Sequence, residues 1–147
     1  MPNDEAAVSV RRRAMERAER MYAESGVRIE GGDLVVWMGE PAVFRATIPM
    51  ASIAAAERVP DKKPGSSMGV HGMRGRWLVN SAYTGLVRLT IEPHSTALMD
   101  PRSALPEGST AATGLIGRLF LRTRTVKLKE LTVSVDDPDA LIAALVR

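Results

Sequence analysis

The chain has 147 residues, of which 45% are hydrophobic and 25% charged, so it has the composition of one globular domain and not of a disordered chain. It contains no cysteine, which excludes disulfides, thiol catalysis and zinc sites with thiolate ligands. The net charge of +3 is unevenly distributed: residues 62–129 carry +8, whereas residues 1–61 carry −2 and residues 130–147 carry −3. We therefore expect the middle of the chain to form a positively charged surface.

The sequence also indicates where the protein resides. Arginine outnumbers lysine by sixteen to four, which is typical of a GC-rich bacterial genome. No apolar run approaches the ~20 residues that a membrane-spanning helix needs. The arginine triplet at residues 11–13 is followed by a mixed sequence and not by the apolar core of a signal peptide. We expect a cytoplasmic bacterial protein.

The first element predicted is a basic helix. Ala, Met, Glu and Arg dominate residues 5–24, and neither glycine nor proline interrupts them. We assign residues 1–25 to this N-terminal helix and residues 26–147 to the domain that follows. The arginines of the helix are Arg11, Arg12, Arg13, Arg17 and Arg20.

Strands are predicted from Val27 onwards. Gly31 and Gly32 indicate a hairpin turn between two extended runs, and residues 39–41 (Gly-Glu-Pro) a second turn before a strand over residues 42–48. Pro49 ends that strand, and residues 52–59 suit either a fourth strand or a short helical turn.

Residues 76–80 and 85–91 are predicted to form a pair of strands joined by residues 81–84, with Pro93 ending the second. Residues 93–116 contain prolines and glycines with little periodicity, which indicates a long loop.

The last sheet segment is predicted to begin near Gly117 and to change its buried face twice. Its apolar side chains occupy odd, then even, then odd positions, and a strand cannot change its buried face without an added residue. We therefore predict bulges near residues 123–125 and 129–130. The apolar positions are Leu119, Leu121, Val126, Leu128, Leu131, Val133 and Val135.

A capped helix follows this strand. Asp137 suits the N-cap and Pro138 the first helical position, while Leu141, Ile142 and Leu145 form an apolar stripe. Asp136, Asp137 and Asp139 are explained by this helix start better than by a calcium site, which needs further oxygen ligands.

Two segments carry a resemblance to a known family. They are residues 47–53 (Thr-Ile-Pro-Met-Ala-Ser-Ile), with an Ile-Pro turn followed by isoleucine, and residues 131–145, where a strand runs into Asp-Pro and the final helix. In these features residues 26–147 resemble short bacterial pleckstrin-homology-like (PH-like) domains. The resemblance implies an α+β, mostly antiparallel fold: a bent sheet or partly open barrel of six to seven strands with a C-terminal capping helix. Glu30 and Asp33 stand on the first hairpin, where phosphoinositide-binding members carry basic residues, so specific inositol-phosphate binding is not expected.

Two constellations of basic residues are candidates for anion binding. In the first, Gly69, Gly72 and Gly75 stand beside Arg74 and Arg76, which suits either an anion-binding nest or a glycine-rich turn that leads into a strand with Trp77 in the core. The second constellation is a basic run that could bind phosphate groups or anionic lipid. Alternatively, its side chains are solvated and protect a sheet edge from pairing with other chains. It consists of Arg118, Arg122, Arg124, Lys127 and Lys129.

The two histidines, His71 and His94, show neither a metal-ligand spacing nor an assigned catalytic partner, so we expect no enzyme activity, no metal site and no cofactor. An enzyme that uses the 93–116 loop as a lid over one of them is the least favoured hypothesis.

The leading hypothesis is a non-catalytic module for protein interaction or self-association. Its partner, another protein or a second copy, would bind along a sheet edge or beside the C-terminal helix. The alternative is electrostatic binding of an anionic membrane or nucleic acid through residues 62–129.

Overall fold

Residues 2–104, 114–115 and 122–146 are described by the computed structural model. The elements in this part of the chain include two α-helices and eight strands. Two short 3₁₀ turns, Met50–Ser52 and Pro101–Ala104, follow the third and seventh strands. The helices are α1 (Pro2–Ala23) and α2 (Pro138–Leu145). The strands are β1 (Ser25–Glu30), β2 (Asp33–Met38), β3 (Phe44–Pro49), β4 (Ile53–Arg58), β5 (Gly69–Met73), β6 (Arg76–Asn80), β7 (Leu86–Met99) and β8 (Arg124–Ser134).

All eight strands belong to one sheet. Its order is β1-β2-β3-β7-β8-β6-β5, and β4 pairs with β7 beside this path. Among the described residues every strand pair is antiparallel except β6–β8, which is parallel. Because β1 and β5 form the outer edges, the described sheet is open and not a closed barrel. The prediction of a mostly antiparallel α+β fold with a C-terminal helix is confirmed.

The long strands β7 and β8 divide the sheet into two halves through a shift in their register. Thr90 pairs with Glu130 on one side of the shift, and Ser95 pairs with Leu128 on the other. β4 pairs with the earlier half of β7 and β3 with the later half. Each long strand therefore forms part of both halves of the sheet.

The bulge predicted near residues 129–130 is confirmed by burial as well as by register. Leu128 and Leu131 are both fully buried although they are three residues apart, so β8 changes its buried face between them. The bulge predicted near residues 123–125 falls at the start of β8, and residues 116–121 before it lie outside the described part of the chain.

One apolar cluster joins the inner faces of both halves. β3 shows the period of two clearly, since Phe44, Ala46 and Ile48 are buried and the residues between them are exposed. Fully burying a side chain such as Leu89 or Leu131 stabilises the fold by about 1.5–3 kcal/mol. The cluster contains Val, Leu, Ile and Met side chains with few aromatic ones.

The early turns agree with the sequence. Glu30 pairs with Asp33 across the first hairpin, and Gly31 has a φ of 62°, which glycine adopts without a steric penalty. Gly39, with a φ of 92°, lies in the second turn. Of the two alternatives for residues 52–59, the fourth strand is confirmed, because β4 covers Ile53–Arg58 and the 3₁₀ turn before it ends at Ser52.

The expectation that residues 76–80 pair with residues 85–91 is wrong. β8 lies between β6 and β7 and pairs with both, so the strands that follow each other in the chain are not neighbours in the sheet. Leu131 and Val133 of β8 are buried, whereas Thr132 between them is half-buried. A strand with this burial on both faces suits the interior of a sheet better than its edge.

The expectation that Pro93 ends a strand is also wrong, because β7 continues to Met99. Glu92, Pro93 and His94 are exposed at the register shift, where no ladder hydrogen bond is required of proline. The predicted loop over residues 93–116 is therefore replaced by strand up to Met99 and by a 3₁₀ turn over Pro101–Ala104. Residues 105–113 and 116 of that loop, and the predicted strand start at residues 117–121, lie outside the described residues.

Helix α1 meets the domain at its C-terminal end, where Met21 and Tyr22 pack against the core. Of its five arginines only the side chains of Arg12 and Arg20 are described, and both are exposed. No helix in the described part of the chain has the length and apolar character needed to cross a membrane.

Helix α2 begins as the sequence predicts. The backbone N–H of Ala140 donates a hydrogen bond to Oδ1 of Asp137 at 3.0 Å, and Pro138 is the first helical residue. Leu145 is buried, while Leu141 and Ile142 are half-buried against the same core. The helix packs against β4 and β7.

Removing the cap should destabilise the protein. We expect Asp137→Ala to lower the free energy of unfolding by about 1 kcal/mol, because the Ala140 N–H loses its acceptor. Urea unfolding followed by circular dichroism measures the change. The matched control is Asp136→Ala, an exposed aspartate outside the cap, which should stay within about 0.5 kcal/mol of the parent. Equal losses at the two positions would contradict the capping role.

Candidate functional site at the β5–β6 hairpin

The turn of the β5–β6 hairpin holds an arginine in an unfavourable backbone conformation. Met73 pairs with Arg76, so Arg74 and Gly75 form a two-residue turn, and their φ angles are 53° and 84°. Positive φ at both central residues is the pattern of a type I′ turn, for which Asn-Gly is the preferred sequence. A left-handed conformation costs a residue with a Cβ about 1–2 kcal/mol. Among the described residues Arg74 is the one non-glycine residue with a positive φ.

The glycines of the same segment have structural roles. A Cβ on Gly72 would lie 2.6 Å from Cδ2 of Trp77 and would overlap the Arg76 carbonyl oxygen, so the close contact with β6 requires glycine there. Gly69 has a φ of 99°. Trp77 itself is 8% exposed within the core. The structure thus agrees with a glycine-rich segment that packs Trp77 in the core, and β5 is an additional strand that the sequence analysis did not assign.

Strand β8 brings a lysine to this turn. The backbone N–H groups of Lys129 and Glu130 donate to the Gly75 carbonyl oxygen at 2.8 and 3.0 Å. A Cβ on Gly75 would lie 3.0 Å from Cγ of Lys129, so the lysine stem lies directly on the glycine. Arg74, Arg76 and Lys129 are all exposed and together form what we call the hairpin-tip surface.

The remaining basic candidates are distributed along β8. Lys127 is exposed opposite Thr96, two residues before Lys129. Arg124 begins the strand opposite Met99, about 17 Å from Lys129 at ~3.3 Å per residue. Strand alternation places Arg124 and Lys127 on opposite faces, so the basic run is not a single row.

Arg122 lies exposed in the bend before β8. Arg118 is outside the described residues. The two predicted constellations therefore meet only at the hairpin tip, through Lys129.

The cations of the hairpin-tip surface differ from several other arginines of the described structure in forming no ion pair there. The ion pairs among the described residues involve Arg12, Arg28, Arg58, Arg88 and Arg102. Arg74, Arg76 and Lys129 form no ion pair with a described residue. Arg76 has Glu130 as its cross-strand neighbour, so one carboxylate borders the surface. The strained φ of Arg74 is thus offset by no ion pair between its side chain and a described residue.

The two histidines of the chain lie on different strands, His71 on β5 and His94 on β7. Nε2 of His71 lies 2.6 Å from the Met68 carbonyl oxygen, and His94 is exposed at the β7 register shift. Among the described residues no group of three or more His, Asp or Glu side chains could hold a metal ion.

The edge strand β5 was not predicted from the sequence. Strands β1, β4 and β5 each pair with only one described strand. β1 carries Arg28 and Glu30, and β4 carries Glu57 and Arg58, whereas β5 has no Lys, Arg, Asp or Glu. Charged side chains on edge strands oppose pairing with other chains, so β5 is the least protected edge. The turn residue Gly75 is the one sequence signal for a hairpin here, but Gly69 and Gly72 within β5 are untypical of a strand and obscure it.

Replacing Arg74 should stabilise the protein if the turn is strained. We expect Arg74→Asn to raise the free energy of unfolding by about 1 kcal/mol, because asparagine accepts a positive φ more readily than arginine. Arg122→Asn is the matched control, since Arg122 is equally exposed and has no positive φ, and it should change stability by less than about 0.5 kcal/mol. Urea unfolding of the three proteins tests this, and an Arg74→Asn variant no more stable than its parent would refute it.

No family model, curated protein or solved structure matches this chain. The comparisons therefore assign no family, and the physical features that bear on function are the uncharged edge of β5 and the cations at the tip of its hairpin, which form no ion pair with a described residue.

Proposed function

We propose that this chain is a non-catalytic interaction module that binds an extended segment of a partner protein along β5. The observation that carries the proposal is the absence of charged side chains from β5, in contrast with the two other edge strands of the described sheet. An added strand would pair with the main-chain groups of β5 that face away from β6. Main-chain pairing supplies affinity with little demand on the sequence of the partner, and neighbouring side chains supply selectivity.

A different protein is favoured over a second copy as the partner. Basic side chains surround β5, with Arg74 and Arg76 in its hairpin and Lys62 in the loop beside it. Antiparallel pairing of two β5 strands would bring these basic segments of the two copies towards each other. Like charges facing each other across an interface oppose association.

We also propose that the fold is PH-like. A PH-like architecture is supported by the final strand β8 running into the Asp137-capped helix α2, which packs against the sheet. The parallel β6–β8 pair and the open sheet depart from the antiparallel, partly closed arrangement that the resemblance implies. We therefore use the PH-like assignment for the sheet-plus-helix architecture and carry over no ligand from it.

A second candidate function is electrostatic binding of nucleic acid or an anionic membrane through the hairpin-tip surface. The specific observation in its favour is that Arg74, Arg76 and Lys129 are exposed and form no ion pair with a described residue. The nearby acidic neighbour Glu130 and the small number of clustered cations count against strong binding.

Photo-cross-linking tests the proposed edge interaction. A benzophenone amino acid in place of Met73, which is 73% exposed at the end of β5, should form an adduct with one partner protein in native cells. The control places the same group at Leu98, which is 51% exposed on β7. The partner identified at Met73 is then purified, and hydrogen exchange of the complex should show new protection of the β5 amides.

Protection confined to other strands would refute binding along β5, as would equal adducts at both positions. A dimer of this chain linked through Met73, with β5 protected in the dimer, would replace the proposed partner by a second copy.

Salt-dependent binding tests the second candidate. Duplex DNA and phosphatidylglycerol vesicles should bind more weakly as salt rises, and the triple variant Arg74→Asn, Arg76→Gln, Lys129→Gln should lower the salt slope for DNA by about 3. The charge-matched control is Arg20→Gln, Arg45→Gln, Lys63→Gln, three exposed cations elsewhere. If the control lowers the slope as much as the tip variant, binding is non-specific and this candidate fails.

A further inference from the structure

A cleft adjoins β5 on the outer face of the sheet, the face opposite the core. It lies between β5, β6, β8 and β7 on one side and the loop over residues 59–68 on the other, and its volume is about 360 Å³. Its charged and titratable lining side chains are Lys62, His71, Arg76, Arg88 and Glu130. We call this the outer-face cleft.

The loop wall of the cleft is anchored to the sheet. The Val59 N–H donates to the Leu86 carbonyl oxygen at 3.1 Å, and the Lys62 N–H donates to the Tyr83 carbonyl oxygen at 2.8 Å. Further along the loop, Nδ2 of Asn80 donates to the Ser67 carbonyl oxygen at 3.2 Å. The backbone of the loop at Lys62 is thereby held by a hydrogen bond to Tyr83.

The basic side chains of the cleft differ in their availability. Arg88 is held by Glu57, whose Oε1 accepts from Nε at 3.0 Å and from Nη2 at 2.8 Å. This hydrogen bond and the charge of the carboxylate raise the pKa of Arg88, so the group is a fixed and compensated cation. Lys62 and Arg76 form no ion pair with a described residue. The cleft therefore has cationic groups available to a further carboxylate, against one lining acid, Glu130.

His71 connects the cleft with the exposed edge. It belongs to β5 and pairs with Leu78 of β6, and both side chains line the cleft. Side chains on neighbouring strands that lie opposite each other share a face of the sheet. A segment added to β5 would therefore place the side chain opposite His71 at the entrance of the outer-face cleft.

We infer that the outer-face cleft binds the carboxylate of an aspartate or glutamate that lies opposite His71 in the bound segment. Arg76 contributes a guanidinium, which suits carboxylate geometry, and Lys62 contributes a second cation from the loop. The inference rests on the proposed function, because it requires an extended segment on β5, and it adds the chemical class of that segment. The partner is thus a protein with an acidic extended stretch.

Two synthetic peptides test the inference. One is a capped hexapeptide of alternating Thr and Glu, and the other replaces each Glu by Gln. Each is titrated to millimolar concentration into isotope-labelled protein, and the amide shifts of β5 and of the cleft residues are followed by NMR. We expect the Glu peptide to shift both groups of amides and to bind at least about tenfold more tightly than the Gln peptide, because a charge-assisted hydrogen bond is lost.

Variants locate the contact. Arg76→Gln should remove the preference for Glu, while Lys63→Gln, an exposed lysine of the same loop that does not line the cleft, should leave it intact. Equal affinity of the two peptides, with β5 amides shifted by both, would overturn the carboxylate site and leave edge binding standing. A Glu preference that survives Arg76→Gln, or no shift with either peptide, would also overturn it, whereas the proposed function itself is decided by the cross-linking at Met73.

Discussion

The architecture depends on the register shift between β7 and β8. Both strands are long, and a long regular strand would present one buried face along its whole length. The shift lets β8 bury Leu128 in one half of the sheet and Leu131 in the other, so that one pair of strands lines a core shared by both halves. Without it, either the Val126–Leu128 side or the Leu131–Val133 side of β8 would face solvent.

The same place in β8 also positions the candidate site. Lys129 and Glu130 occupy the irregular region, and their N–H groups turn to the Gly75 carbonyl oxygen in the hairpin. The bulge therefore serves two purposes, since it redirects the strand and provides donors that hold the β5–β6 turn. Lys129 lies against Gly75 of the turn for this reason, although the two are far apart in the chain.

Features set by neighbouring residues could be predicted from the sequence. The Gly31 turn, the strand before Pro49, the bulge near residue 129 and the Asp137 cap all follow from local sterics and periodicity. Strand order could not be predicted in the same way, because the insertion of β8 between β6 and β7 depends on contacts across more than forty residues. Continuation of β7 beyond Pro93 was missed because proline usually ends a strand, and here it lies where the ladder is interrupted.

The site was predicted only in pieces. Arg74 and Arg76 stood out beside three glycines, and Lys129 within a basic run, but no local pattern indicates that they meet. β5 was hidden by Gly72, whose missing side chain is a packing requirement of Trp77 and not a sign of a turn. The position of Lys62 in the lining of the outer-face cleft is visible only once the loop is placed over the sheet.

The parallel pairing of β6 with β8 has a consequence for the order in which the chain acquires structure. During synthesis, the β5–β6 hairpin leaves the ribosome long before residues 130–133, which supply its neighbour in the sheet. Until then the hairpin has no place in the sheet, since β7 is reached only through β8. Contacts of such long sequence separation form slowly because the intervening chain must first be ordered. The β5 edge is therefore among the last parts of the protein to take its place in the sheet, which it does only when β8 has formed.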